Sequence, residues 1–134
     1  MKIAVDAMGG DFAPGRVVEG AVLAARNFGM GIILVGDEAK IGEELKRYDY
    51  SGLGITIQHA SEVVRMDESP VEALRKKKDS SIRVAINLVK EHAADAMLSA
   101  GNTGAVMATA HFVLRTIPGV DRPAIATVLP NIKG

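Results

Sequence analysis

Short apolar runs alternate with amphipathic stretches along this chain. Four of the runs predict buried strands, at residues 2–5, 32–35, 54–58 and 96–99. A fifth predicted strand covers residues 124–129. Between the runs, apolar residues recur at intervals of three or four positions, which is the pattern of helices with one buried face. Strands separated by helices are typical of a parallel sheet that is covered by helices on both faces.

The same periodicity predicts which helical positions face the core. These are Val17, Ala21, Ala24, Ala25 and Phe28 in the first helix, Ile41 and Leu45 in the second, Val71 and Leu74 in the third, Ile82, Ala85, Ile86, Val89 and Ala93 in the fourth, and Val106, Met107, Ala110 and Leu114 in the fifth. Ser69 followed by Pro70 predicts the start of the third helix, and Ser80 or Ser81 the cap of the fourth. The sequence therefore predicts a three-layer α/β/α fold with a mainly parallel sheet.

Glycine-rich segments follow two of the predicted strands. In parallel sheets, ligands bind beyond the carboxyl ends of the strands. The loops predicted at that edge are residues 6–14, 36–37, 59–69 and 99–103. The first and the last of these loops are rich in glycine. We therefore expect a binding site at this edge of the sheet, between the two glycine-rich loops.

The loop that reads "SAGNTGA" has the composition of an anion site. Backbone N–H groups at the start of a helix are free and carry partial positive charge. Gly101 and Gly104 would let a ligand approach the backbone closely. Ser99, Asn102 and Thr103 offer hydroxyl and amide groups. We expect a small anion to bind here. In the alternative interpretation, Thr103 caps the helix and the glycines form a tight turn.

The loop that reads "DAMGGDFAP" is the second candidate. Asp6 ends the first predicted strand, Gly9 and Gly10 permit unusual backbone angles, and Asp11 follows them. The loop has neither the G-x-G-x-x-G fingerprint of dinucleotide binding nor the lysine of a P-loop. Its carboxylates either organise the loop or accept hydrogen bonds from a substrate. The alternative is a structural turn in which both carboxylates bond backbone N–H groups.

Charge and composition exclude several other functions. The 134 residues carry 16 basic and 16 acidic side chains, and this balance argues against nonspecific nucleic-acid binding. The absence of cysteine excludes disulfides and a thiol nucleophile. The three histidines have no spacing typical of a metal site or a triad, and we expect neither a metal nor a cofactor. The run "RKKK", which includes Arg75 and Lys77, either ends a helix in solvent or binds phosphate or an acidic partner.

Four segments together resemble the PlsX family of phosphate acyltransferases. They read "IAVDAMGGDFAP", "ESPVEALRKKKDSS", "SAGNTGA" and "DRPAIATVLP", and they occur in the family's order. The resemblance extends over all 134 residues. It implies a Rossmann-like fold similar to those of isocitrate and isopropylmalate dehydrogenases and phosphotransacetylases. Because family members are more than twice this length, we expect residues 1–134 to be the N-terminal part of a longer domain.

The resemblance also implies a reaction. An acyl group moves from acyl carrier protein to inorganic phosphate, and a membrane-bound acyltransferase then uses the acyl phosphate in bacterial phospholipid synthesis. The family is cytoplasmic, peripherally associated with the membrane and homodimeric. We expect catalytic roles for Asn102 and Thr103. The residues expected to bind phosphate or substrate, or to organise their loops, are Gly101, Gly104, Ser99, Gly9, Gly10, Asp6, Asp11, Arg75 and Lys77.

Other functions stay open at this point. A phosphotransacetylase would use the same phosphate chemistry with a coenzyme A thioester as the acyl donor. A non-catalytic phosphate-binding module would need only the anion site. A structural partner could complete its sheet with another chain.

Overall fold

A four-stranded parallel sheet runs through residues 1–126, the part of the chain that the structure, a computed structural model, describes. Its strands are β1 (Lys2–Asp6), β2 (Gly31–Gly36), β3 (Ile55–His59) and β4 (Ala96–Leu98). The helices are α1 (Gly15–Phe28), α2 (Glu38–Leu45), α3 (Pro70–Lys76), α4 (Ser81–Lys90) and α5 (Thr103–Leu114). The strand order is β3-β2-β1-β4, and each neighbouring pair is parallel.

Alternate residues of the central strands face two separate helical layers. Val5 and Leu34 belong to the cluster that includes α1 and α2, whereas Ala4 and Ile33 pack in a second cluster with Ala85 of α4. Successive side chains of a strand point to opposite faces, so the continuous apolar sequence of β2 is buried on both sides. This arrangement confirms the predicted α/β fold with a parallel, Rossmann-like sheet between helices.

Helix α5 packs on α3 and α4, and its buried face differs from the predicted one. Ala105, Thr109 and Val113 are buried, whereas Met107 is 38% and Leu114 is 41% exposed. The predicted positions Val106 and Ala110 are half-buried. They pack against a third cluster of core residues, which includes Ala105, Val113 and Ile86. The helix is apolar on all sides, so its periodicity could not select a face. Contact with α3 and α4 selects it instead.

Three further positions predicted to face the core are exposed. Phe28, the last residue of α1, is 73% exposed, and Val71 in the short helix α3 is 54% exposed while Ala73 is buried. Ala93 lies beyond the end of α4 at Lys90 and is exposed. Each lies at or past a helix end or in a helix of two turns, where a helical period is poorly defined. No helix within residues 1–126 is long and apolar enough to cross a membrane.

The predicted start of α4 is confirmed, whereas the predicted start of α3 and the predicted fifth strand are confirmed only in part or not at all. Ser80 caps α4, because its side chain accepts a hydrogen bond from the Arg83 N–H at 3.3 Å. Ser69 precedes Pro70 at the start of α3, but its side chain makes no capping bond within the described residues. Of the predicted fifth strand at 124–129, residues 124–126 have no regular secondary structure and the rest lies outside the described residues.

Candidate functional site

The candidate site lies where the sheet's strand order changes direction. From β1 the chain continues to β2 on one side, whereas β4 joins β1 on the other side. Ligands of open α/β sheets bind in the crevice beyond the carboxyl ends of the strands at such a switch point. The loop after β1 and the loop after β4 meet there, at the edge where the sequence placed them.

Asp6 joins these two loops through a buried carboxylate. The residue is 1% exposed, and its Oδ2 accepts a hydrogen bond from the Ser99 hydroxyl at 2.7 Å. Its Oδ1 accepts from the Met8 N–H at 3.1 Å. The Ser99 oxygen in turn accepts from the Gly101 N–H at 3.0 Å. These bonds satisfy a polar group that would be costly to bury without partners, and they give Asp6 the contacts of a loop-organising residue. Asp11 is exposed.

Three of the glycines allow the loops to touch each other. A Cβ on Gly9 would lie 2.5 Å from Asp6 Oδ2 and 2.9 Å from the Gly101 nitrogen. A Cβ on Gly101 would lie 3.2 Å from the Gly9 Cα. Gly10 has φ +99° and faces Ala100. Contact between the two loops therefore explains why these residues are glycines, without a ligand beside them.

Gly104 lies against helix α3. A Cβ at this position would come within 2.8 Å of the Pro70 Cγ. The sequence predicted that Gly104 leaves room for a ligand, but in the structure Pro70 occupies the space beside it. The glycine allows α5 to approach α3 closely. A ligand contact by its backbone N–H stays a prediction.

Asn102, and not Thr103, is the N-cap of α5. The Asn102 Oδ1 accepts a hydrogen bond from the Ala105 N–H at 3.0 Å. The alternative in which Thr103 caps the helix is therefore wrong, and Thr103 is the exposed first residue of α5. The two N–H groups of the Asn102 Nδ2 are shared among three backbone carbonyl oxygens, those of Arg65 (3.1 Å), Met66 (3.3 Å) and Glu68 (3.0 Å). The predicted catalytic roles of Asn102 and Thr103 stay predictions.

Lys77 and Arg75 have different surroundings although both belong to the "RKKK" run. The Lys77 Nζ donates to the Val63 carbonyl oxygen at 2.6 Å and pairs with Glu68 at 2.5 Å. Both side chains of this ion pair are 27% exposed. Arg75 is exposed at the end of α3. Of these two basic residues, Lys77 therefore has partners within the protein, whereas Arg75 faces solvent.

The segment of residues 63–68, called here the 63–68 loop, forms one wall of a cleft. This edge cleft has a volume of about 370 Å³ and is lined by Met8, Gly10, Val63, Val64, Arg65, Met66 and Asp67. The loop predicted at residues 59–69 lies at the expected edge of the sheet, and the sequence indicated no role for it. Its contacts with Asn102 join residues 34 to 37 positions apart, and no local pattern predicts such contacts. Arg65 and Asp67 of this loop pair with each other in solvent at 3.2 Å.

A second contact holds the beginning of the loop that follows β3. The Asp79 Oδ2 accepts hydrogen bonds from the Ser61 hydroxyl at 2.6 Å and from the Ser61 N–H at 2.8 Å. These bonds to the charged form, first the hydroxyl bond and then the backbone bond, lower the pKa of Asp79 below its ordinary value. The Asp79 N–H donates to Glu62 Oε2 at 2.9 Å. The start of α4 thus anchors the chain just before the 63–68 loop.

Comparison with known proteins identifies the family. The family model described as "Fatty acid synthesis protein" matches residues 1–134. The chain belongs to this family. Curated relatives include phosphate acyltransferases of Geotalea daltonii, 59% identical over 134 residues, and of Geobacter sulfurreducens, 57% identical over 134 residues. The Syntrophotalea carbinolica phosphate acyltransferase is 58% identical over 131 residues.

These relatives are much longer than the chain. The matches with the Geotalea daltonii and Geobacter sulfurreducens proteins cover 100% of this chain and 39% of each relative. The Syntrophotalea carbinolica match covers 98% of this chain and 38% of that relative. Residues 1–134 therefore correspond to about two-fifths of a family member.

Proposed function

We propose that this chain forms the phosphate-binding part of an enzyme that transfers a fatty acyl group from acyl carrier protein to inorganic phosphate. The product would be an acyl phosphate for phospholipid synthesis. The observation that carries the proposal is the junction of two glycine-containing loops at the switch point of the sheet, beside the start of α5. The name phosphate acyltransferase of the relatives supports the reaction type.

The proposed reaction needs no nucleophile from the protein. A phosphate oxygen attacks the thioester carbonyl carbon, a C–O bond forms and the C–S bond breaks. The sulfur leaves with the bonding electron pair and takes up a proton to become a thiol. The protein has to hold phosphate against the carbonyl group and to stabilise the negative charge that develops on the carbonyl oxygen. We assign these tasks to the backbone of residues 101–104 and to the exposed Thr103 hydroxyl.

The partners in the proposal follow from the same family resemblance. Arg75, exposed at the end of α3, is the residue that we assign to contact with the acidic carrier protein. We propose that the full-length enzyme is a cytoplasmic homodimer at the membrane periphery. A membrane acyltransferase would consume its product there. No nucleic acid and no cofactor takes part.

Calorimetric titration of inorganic phosphate into this chain tests the proposed phosphate site. We expect phosphate to bind and the control ligands ATP and NAD not to bind. The variant Thr103→Ala should weaken phosphate binding by roughly ten- to a hundredfold, since a hydrogen bond to a charged group is worth about 1.5–3 kcal/mol. The matched control Thr56→Ala changes an exposed threonine of β3 and should bind as the unaltered chain does. Equal affinity of both variants would remove the start of α5 from the site.

A chimaera tests the acyl donor. In it, this chain replaces the matching 134 residues of the Geobacter sulfurreducens relative. We expect phosphate-dependent release of free carrier protein from an acyl carrier protein thioester and much slower reaction of a coenzyme A thioester. Faster reaction of the coenzyme A thioester would instead support a phosphotransacetylase-like enzyme.

A further inference from the structure

The 63–68 loop owes its position to side chains of other segments. Its residues have no helical or strand hydrogen bonding of their own within the described structure. Backbone carbonyl groups need hydrogen-bond partners. Besides one turn bond, from the Glu68 N–H to the Arg65 carbonyl oxygen at 3.3 Å, two side chains supply them here. Asn102 donates to three of the carbonyl oxygens, and Lys77 donates to a fourth, that of Val63.

We infer that Asn102 and Lys77 are positioning residues that hold the 63–68 loop, which forms one wall of the edge cleft, in a fixed position against the start of α5. The inference rests on the proposed function, because the cleft is useful to the enzyme only if phosphate or the thioester binds at this edge. In this role the two side chains act through the loop and need not touch the reacting atoms.

The chemistry of the amide explains why an asparagine stands at position 102. An amide is both an acceptor and a double donor, so one side chain can cap a helix and bond a second segment. The Oδ1 of Asn102 caps the first turn of α5 while its Nδ2 lies among the loop carbonyls. Movement of the loop is thereby tied to the first turn of α5, which holds Thr103. An aspartate would cap the helix equally well but would present negative charge to those carbonyls.

The two neighbouring lysines provide the second part of the inference. Lys77 is 27% exposed and reaches across to both ends of the 63–68 loop, at Val63 and Glu68. Lys76 is 73% exposed and lies 3.5 Å from Glu72 of its own helix. Of these two lysines, only Lys77 therefore joins the end of α3 to the loop. Lys76 serves as the matched control for Lys77.

The test compares three variants of this chain: Asn102→Ser, Lys77→Met and Lys76→Met. Serine keeps an acceptor for the cap of α5 but cannot serve three carbonyl groups. Methionine keeps an apolar stem but has no ammonium group. Far-UV circular dichroism verifies that each variant folds. Amide hydrogen exchange of residues 63–68 then reports whether the loop is held, and calorimetry with inorganic phosphate reports whether the site depends on it.

We expect exchange in the 63–68 loop to become roughly tenfold faster in Asn102→Ser and faster to a smaller extent in Lys77→Met. Phosphate affinity should fall in the same order, and Lys76→Met should change neither quantity. Unchanged exchange in Asn102→Ser would overturn the inference. Faster exchange with unchanged phosphate affinity would also overturn it, because the loop would then be held but irrelevant to the site, while the proposed function would stand. If the unaltered chain does not bind phosphate, the proposed site is overturned, and with it the role of Asn102 and Lys77 in positioning the 63–68 loop for phosphate binding.

Discussion

Asp6, Asn102 and Asp79 each join backbone segments that are distant in the sequence. Asp6 connects the end of β1 to Ser99, and Asn102 connects α5 to the 63–68 loop. Asp79, just before α4, connects its segment to Ser61. Each makes more than one hydrogen bond. Asp6 and Asn102 are buried, and removing the partner of a buried polar group leaves that group unsatisfied, at a cost of about 1–3 kcal/mol. Single polar residues therefore set the positions of the loops at this edge.

The pKa of Asp79 leads to a prediction about pH. Because the folded pKa is lowered, the contribution of Asp79 to stability is present above its unfolded pKa and is lost as the pH falls through its folded pKa. In Ser61→Ala the hydroxyl donor is gone and the pKa of Asp79 should rise towards its ordinary value. Carboxyl NMR titration measures the pKa, and urea unfolding at neutral and acid pH measures the stability. The unaltered chain should be more stable than Ser61→Ala at neutral pH, and the difference should shrink in acid.

Ser51→Ala is the matched control for this experiment. The Ser51 N–H donates to Asp49 at 3.1 Å, as the Ser61 N–H does to Asp79, but Ser51 lies in an exposed turn. Its replacement should leave the pKa of Asp79 and the pH dependence of stability unchanged. A difference between Ser61→Ala and the unaltered chain that does not depend on pH would show that the hydroxyl bond does not act through the charge of Asp79.

At the scale of elements, glycines determine how closely the loops and helices approach one another. The positions of strands and of most helices could be predicted from the sequence, because apolar periodicity and caps are local signals. The contacts that require glycine at these positions could not be predicted from such local signals. Gly9 touches Gly101 and Gly104 touches Pro70, and these partners are far apart in the chain. A glycine near the start of a helix gives the same sequence pattern whether a ligand or another segment of the chain lies beside it.

Two alanine substitutions test the meaning of these glycines, and we expect opposite results. Gly9→Ala should destabilise the chain by about 1–3 kcal/mol, because its Cβ would meet Asp6 and the backbone of Gly101. Gly20→Ala should stabilise it by about 0.5–1 kcal/mol, since Gly20 lies inside α1 and no described atom outside its own helix lies within 4 Å of the added Cβ. Urea unfolding measures both. Equal small effects would mean that the two loops are not packed closely at Gly9.

For the whole molecule, the layered architecture could be predicted because alternating strands and helices permit few arrangements. The same reasoning did not predict the buried face of α5 or the exposure of Val71. Helix α5 is apolar on every side and α3 has only two turns, so their orientations depend on the third cluster, where Ile86 is fully buried. The same holds for the candidate site. Its place at the carboxyl-end edge of the sheet could be predicted from the sequence, whereas the Asn102 contacts that shape it could not.

The location of this core can be tested with two aliphatic residues that the sequence placed inside. Ile86→Ala should cost about 2–5 kcal/mol, because Ile86 is 0% exposed and its removal leaves a cavity between α4 and its neighbours. Val71→Ala should change the free energy of unfolding by less than about 0.5 kcal/mol, because Val71 is 54% exposed. Thermal or urea unfolding gives both values. A large loss in Val71→Ala would show that α3 presents its other face to the core.

The bond between Ser99 and Asp6 has a consequence for the order of events during synthesis. The two residues are 93 positions apart, so Asp6 leaves the ribosome long before its partner exists. At about 5–20 residues per second, the interval is roughly 5–20 s. During that time the edge of β1 that β4 later occupies has no strand beside it, and an open strand edge invites pairing with other chains. A nascent chain of this protein therefore has an open edge on β1 until β4 has been synthesised.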